Sequence, residues 1–151
     1  MRFRSLATLG VALALAGTAA CNDTTNPNGS FTTGLYALTT VNGTAIPYTY
    51  NDQTTGGTTT VQSDVYTINS DGTYSEVINE STATSFGTTP RTDNEQGTWT
   101  QYNGTVTFQP TYSSFSNALT PYSGSMASGG LNGNGALVFS SSLGQLVYQH
   151  E

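Results

Sequence analysis

The 151-residue sequence predicts an all-β domain: an antiparallel up-and-down meander of about eight or nine short strands. Three observations carry that expectation. The chain holds nine Tyr, six Phe and one Trp and is rich in Thr, the residue types that favour a pleated, half-buried surface. Beyond residue 30 no apolar run repeats at i, i+3, i+4, i+7, as an amphipathic helix requires. Turn pairs also punctuate the chain at short intervals: Asn42-Gly43, Gly56-Gly57, Asp71-Gly72, Asn103-Gly104 and Asn132-Gly133-Asn134-Gly135. Such pairs supply the positive φ values of tight hairpins.

The N-terminal segment stands apart from this pattern. Arg2 and Arg4 precede an apolar stretch from Leu6 to Leu15, and small residues then lead to Cys21. A basic start, a short apolar core and a small-residue end describe an export signal over residues 1–20, a helix that does not belong to the mature domain. It is too short to span a bilayer, which takes about 20 apolar residues. Cys21 is the only cysteine, so an internal disulfide is excluded. Placed directly after Thr18-Ala19-Ala20, it resembles the lipid-attachment residue of bacterial lipoprotein signals. That resemblance implies a diacylglycerol on the Cys21 thiol, the membrane as a partner, and a place in the bacterial envelope on its periplasmic or surface side. Residues 21–31, with their Asn, Thr, Gly and Pro, then read as a polar tether. Residues 32–151 form the single domain.

The strands of that domain follow in order. "GLYALTTV" sets Tyr36 and Leu38 on one face and is the first strand. "AIPYTY" is a doubtful second, because Pro47 belongs at an edge or a strand start. "TTTVQSDVYTINSDGTYSEVIN" is the strongest hairpin, with Tyr66 and Ile68 before Asp71-Gly72 and Tyr74 and Ile78 after it. "GTWTQYNGTVTFQP" is another, carrying Trp99, Val106 and Phe108. "YSGSMAS", "GALVFSS" and "GQLVYQHE" complete the set, with Leu137/Phe139 and Leu146/Tyr148 as inward pairs. Ser81 to Asp93 and Thr111 to Pro121 show no clear alternation and read as two long loops.

The stretches "GLYALTTVNGTAIPY", "INSDGTYS", "GTWTQYNGTVTF" and "LVYQ" resemble the small lipocalin-like lipoproteins of bacterial envelopes. The resemblance covers most of Gly34 to His150 and implies a barrel that closes its last strand on its first. It brings no activity and no catalytic residues. A two-sheet sandwich is the competing way to pack nine short strands.

Composition narrows the function. Without residues 1–20 the chain carries one cation, Arg91, against nine acids, and no Lys at all. A surface of that sign repels phosphate backbones, so nucleic acid is not an expected partner. No Gly-x-Ser-x-Gly, His-Glu-x-x-His or phosphate-loop pattern is present, and the lone His150 lies next to the C-terminus. Glu76 and Glu80 could share a strand face and act as an acid–base pair, but two solvated carboxylates are the preferred reading. Asp93-Asn94-Glu95 lacks the rest of a calcium loop. No metal and no cofactor are expected, and the protein reads as a monomer and not as an enzyme.

The inward aromatic face remains: Tyr36, Leu38, Tyr66, Ile68, Tyr74, Trp99, Phe108, Phe139 and Tyr148. It can be a filled core, the preferred reading, or the wall of a pocket for a small apolar or aromatic ligand. In the pocket case Tyr36, Trp99 and Tyr148 are expected at the wall. The leading function is non-catalytic binding of such a ligand inside the barrel. The alternative is a surface module that holds protein or glycan through its loops. A hydrolase would need Glu76, Glu80 and Asp93 to converge.

Overall fold

The computed structural model describes residues 33–115, 119–127 and 135–151. The export segment, Cys21, the tether and the Asn132-Gly133-Asn134 turn lie outside the described residues. Ten strands run in order: β1 (Gly34–Val41), β2 (Thr44–Ala45), β3 (Tyr48–Asp52), β4 (Gly57–Ile68), β5 (Thr73–Thr84), β6 (Gly87–Tyr102), β7 (Thr105–Ser113), β8 (Tyr122–Ala127), β9 (Ala136–Ser141) and β10 (Gly144–His150). From β4 to β10 each strand pairs antiparallel with the next. β1 closes the sheet by pairing with β10 on one side and with β4 on the other. The result is a closed eight-strand barrel and not a sandwich.

The turns work as their residues dictate. Asn42 and Gly43 (φ 50° and 79°) join the paired residues Val41 and Thr44, and Asn103 and Gly104 (φ 48° and 76°) join Tyr102 and Thr105. Positive φ at both central positions matches the right-handed twist of the strands. The doubtful second strand is in fact two short pieces, β2 on β1 and β3 on β4, separated by the cis Ile46–Pro47 bond.

Ser81 to Asp93 is not a loose loop. Its two arms extend β5 and β6 as one long hairpin that turns at Thr84 and Gly87. The expected loop after β7 is also shorter, because that strand runs to Ser113. The hairpin lacks hydrophobic alternation because it projects past the core and both its faces are largely wet. Cross-strand hydroxyl and amide contacts replace apolar pairs: Thr59 Oγ1 lies 2.9 Å from Thr82 Oγ1, and Thr92 Oγ1 donates to Asn79 Oδ1 at 2.8 Å. Its outer arm pairs only with β5 before Glu95, and Pro90 and Arg91 sit on that edge. Proline and charge are what discourage an edge from recruiting another strand.

The barrel is packed around Tyr66, whose ring centroid lies 5.3 Å from Phe108, 5.6 Å from Phe139 and 5.2 Å from Tyr148. Tyr36, Leu38, Ile68, Tyr74, Val106 and Leu137 are buried with it. Two glycines permit the close approach of rings to the wall. A Cβ on Gly97 would collide with the Gln109 carbonyl and the Tyr74 ring, and one on Gly124 would come within 2.8 Å of the Phe139 ring.

Candidate functional site

The two ends of the barrel differ. One carries the β4–β5 and β6–β7 turns and is plugged. There Trp99 Nε1 donates to the Asn69 carbonyl at 3.0 Å, and the His150 ring meets Tyr36 edge-on at 5.0 Å. The other end holds a cavity of about 350 Å³, lined at depth by Asp64, Glu76, Glu95 and Tyr66 and toward the rim by Phe115 and Ser141. Its size falls within the range of roughly 300–1,000 Å³ typical of small-molecule sites.

The expected inward face is therefore divided between two roles. Tyr66, Phe139 and Tyr148 line the cavity, whereas Tyr36, Leu38, Ile68, Tyr74 and Phe108 fill the core. Tyr36 and Trp99 are not at the cavity wall as expected, because both belong to the plugged end. Trp99 is only half-buried and faces the β4–β5 turn. Filled core and cavity coexist, one above the other.

The cavity floor holds three buried acids. Asp64, Glu76 and Glu95 are 6%, 4% and 3% exposed. Glu76 is thus not the solvated carboxylate its spacing suggested. Strand geometry places all three. Glu76 lies opposite Tyr66 on β4 and opposite Glu95 on β6. A bulge between Val61 and Ser63 resets the alternation of β4, so that Asp64 shares the inward face with Tyr66 and Ile68. Glu80 and Asp93 do not join them. Arg91 Nε contacts Asp93 Oδ2 at 2.7 Å and its Nη1 lies 3.9 Å from Glu80 Oε1, a separate ion-pair group further along the hairpin. Ser114 Oγ donates to Asp93 Oδ1 at 3.0 Å. The convergence of Glu76, Glu80 and Asp93 that a hydrolase would need is not found.

Tyrosine hydroxyls hold the floor in place. The Tyr148 hydroxyl donates to Asp64 Oδ2 at 2.6 Å, and those of Tyr74 and Tyr122 both donate to Glu95 Oε1 at 2.7 Å. The Tyr66 and Tyr122 hydroxyls are 3.1 Å apart. Asp64 Oδ1 is buried with no such donor, and its carboxyl faces that of Glu76. Burial pushes Asp64 up to about 6, against the opposing pull of the Tyr148 and Glu76 hydrogen bonds. Glu76 is driven well above the carboxylate range by burial and then by the neighbouring Asp64 charge. The four tyrosines are raised as well, chiefly by burial, and stay protonated as donors. Within the Asp64–Glu76 pair the shared hydrogen bond favours the charge on Asp64 and the proton on Glu76, next to a phenolic and aromatic wall. Such a floor can accept hydrogen bonds from a bound molecule and donate to it. Perturbed carboxyls gathered in a cleft make this end of the barrel the candidate site.

Sequence reasoning does not name Asp64, and it raises Glu95 only within a calcium loop whose remainder is missing. Their parity was visible: Asp64 is two residues from Tyr66, and Glu95 is four from Trp99, both on the face assigned inward.

Comparison with known proteins finds no matching family model, no similar curated protein and no similar solved structure.

Proposed function

We propose that the protein is a non-catalytic binding module that holds one small molecule in the open end of its barrel. The single observation behind this reading is the cavity of about 350 Å³, in which an aromatic wall meets a small set of fixed polar groups. Ligand sites are built in this way: apolar area supplies affinity and a few convergent polar atoms set orientation. Tyr148 engages Asp64, and Tyr74 and Tyr122 engage Glu95, so these carboxyls are anchored acceptors and not free-swinging nucleophiles. The export signal and Cys21 complete the proposal. The domain would be tethered by lipid in the bacterial envelope, as the lipocalin-like resemblance implies. Ligand-observed NMR on the full chain with a panel of small aromatic compounds tests the pocket. Saturation transfer to at least one compound is expected, and none across the panel would refute it.

A second reading, docking of protein or glycan through the outer hairpin, is favoured by Phe86. That ring sits 99% exposed at the β5–β6 turn, where it contributes nothing to the core. A Phe86→Ser variant that loses a captured partner while keeping small-molecule binding would support it.

A further inference from the structure

We propose that the ligand is an organic cation: a protonated amine on a small aromatic or apolar body, with its ammonium seated on Asp64 Oδ1 between Glu76 and Glu95. The inference rests on the binding reading above and adds the chemical class. Three acids converge in the cavity, and no cation lies there among the described residues. Arg91, the only Lys or Arg among the described residues, is held by Asp93 and Glu80, and His150 packs on Tyr36 at the plugged end. Buried charge is ordinarily paired, so an acid floor without its counter-charge is missing a partner. The atom left over is specific. Asp64 is 6% exposed and lines the cavity, its Oδ2 is taken by Tyr148, and beyond the neighbouring Glu76 carboxyl its Oδ1 receives no hydroxyl or N–H donor. An ammonium N–H supplies the charged donor that Oδ1 lacks.

The wall argues for an organic cation over a metal ion. A hard divalent ion would need about six to eight oxygen ligands, and the tyrosine hydroxyls already donate onto Asp64 Oδ2 and Glu95 Oε1. The rings of Tyr66, Tyr122, Phe139 and Tyr148 instead offer apolar area and π faces, which suit a cation carried on an apolar body.

Isothermal titration of the full chain with 2-phenylethylammonium, its neutral isostere 2-phenylethanol and the anion phenylacetate tests the proposal. At pH 7.5 the ammonium should bind roughly 10- to 100-fold more tightly than the alcohol, the worth of one charge-assisted hydrogen bond in a dry site. The preference should shrink at pH 5, where Asp64 takes up a proton. The titratable groups facing Asp64 are Tyr148 on β10, Glu76 on β5 and Glu95 on β6. Of these, Tyr148 is held protonated by burial, and Glu76, raised by burial and by the Asp64 charge, holds a proton in preference to Asp64. In Asp64→Asn the ammonium-to-alcohol ratio should fall to within about twofold. If that variant does not fold, the pH comparison on the wild-type chain still decides. Alcohol binding as tight as ammonium, or tightest binding of phenylacetate, overturns the cation while leaving the pocket reading intact. No binding of any probe overturns both.

Discussion

Replacing Asp64 by Asn removes a buried charge while keeping the shape of the side chain, and it should stabilise the barrel at neutral pH. The folded protein lifts this carboxyl from 3.8 to about 6. At about 1.4 kcal/mol per pH unit, the ionised form costs the fold on the order of 3 kcal/mol. A raised folded-state value means that the native state holds a proton the unfolded chain has already released. The penalty is therefore absent below the unfolded value of 3.8, grows as pH rises and is complete above about 6. Glu76, also raised by burial, acts in the same direction. The wild-type protein should thus become more stable as pH is lowered from 7.5 to 5. Asp52 and Asp71, held below their ordinary value by donors from Thr54 and Thr73 respectively, reverse the trend only at lower pH. In the variant the Asn carbonyl still accepts from Tyr148, and its amide can donate toward Glu76. Urea titration at pH 7.5 should show Asp64→Asn more stable by about 1–3 kcal/mol, with Tm raised by roughly 3–10 °C. The gap should close at pH 4.5. A variant less stable than wild type at pH 7.5, or a wild-type Tm that does not rise between pH 7.5 and 5, would refute the reasoning.

Three further outcomes follow from individual contacts. Tyr148→Phe deprives the Asp64 carboxylate of its 2.6 Å donor, so it should cost about 1.5–3 kcal/mol at pH 7.5 and clearly less at pH 4.5, read by urea denaturation at both values. Gly124→Ala drives a methyl group into the Phe139 ring at 2.8 Å, and overpacking of this kind should lower stability by about 1–3 kcal/mol in the same assay. Phe86→Ser alters a ring that is 99% exposed, so stability should stay within about 0.5 kcal/mol, and a larger loss would show that the hairpin tip packs on something.

The fold was legible because its signals are local. Asn42-Gly43 and Asn103-Gly104 enforce hairpins by their own conformational preferences, and alternation in "GLYALTTV" and "DVYTI" reports one buried face. Two kinds of feature were not legible. The Ser81–Asp93 hairpin has no apolar period, since it stands clear of the core and is held by Thr, Ser and Asn contacts. Of the cavity acids, Glu76 reads from sequence as solvated, because a carboxylate ordinarily is, and Asp64 carries no motif of its own. Parity with Tyr66 and Tyr74 places Asp64 and Glu76 inside, and only the tertiary closure of β10 against β1 brings the Tyr148 hydroxyl to Asp64, 84 residues away. Trp99 shows the opposite limit: its parity was right, but its end of the barrel is the plugged one.

The most direct test of the cavity as a ligand site is native mass spectrometry after incubation with an extract of bacterial envelope lipids and metabolites. The full chain would be compared with Leu146→Trp, which places a large ring at a cavity-lining position. The account predicts a discrete-mass adduct on the wild-type protein that disappears on unfolding and is absent from the filled variant. No adduct on the wild-type chain, or an equal adduct on both proteins, would contradict it.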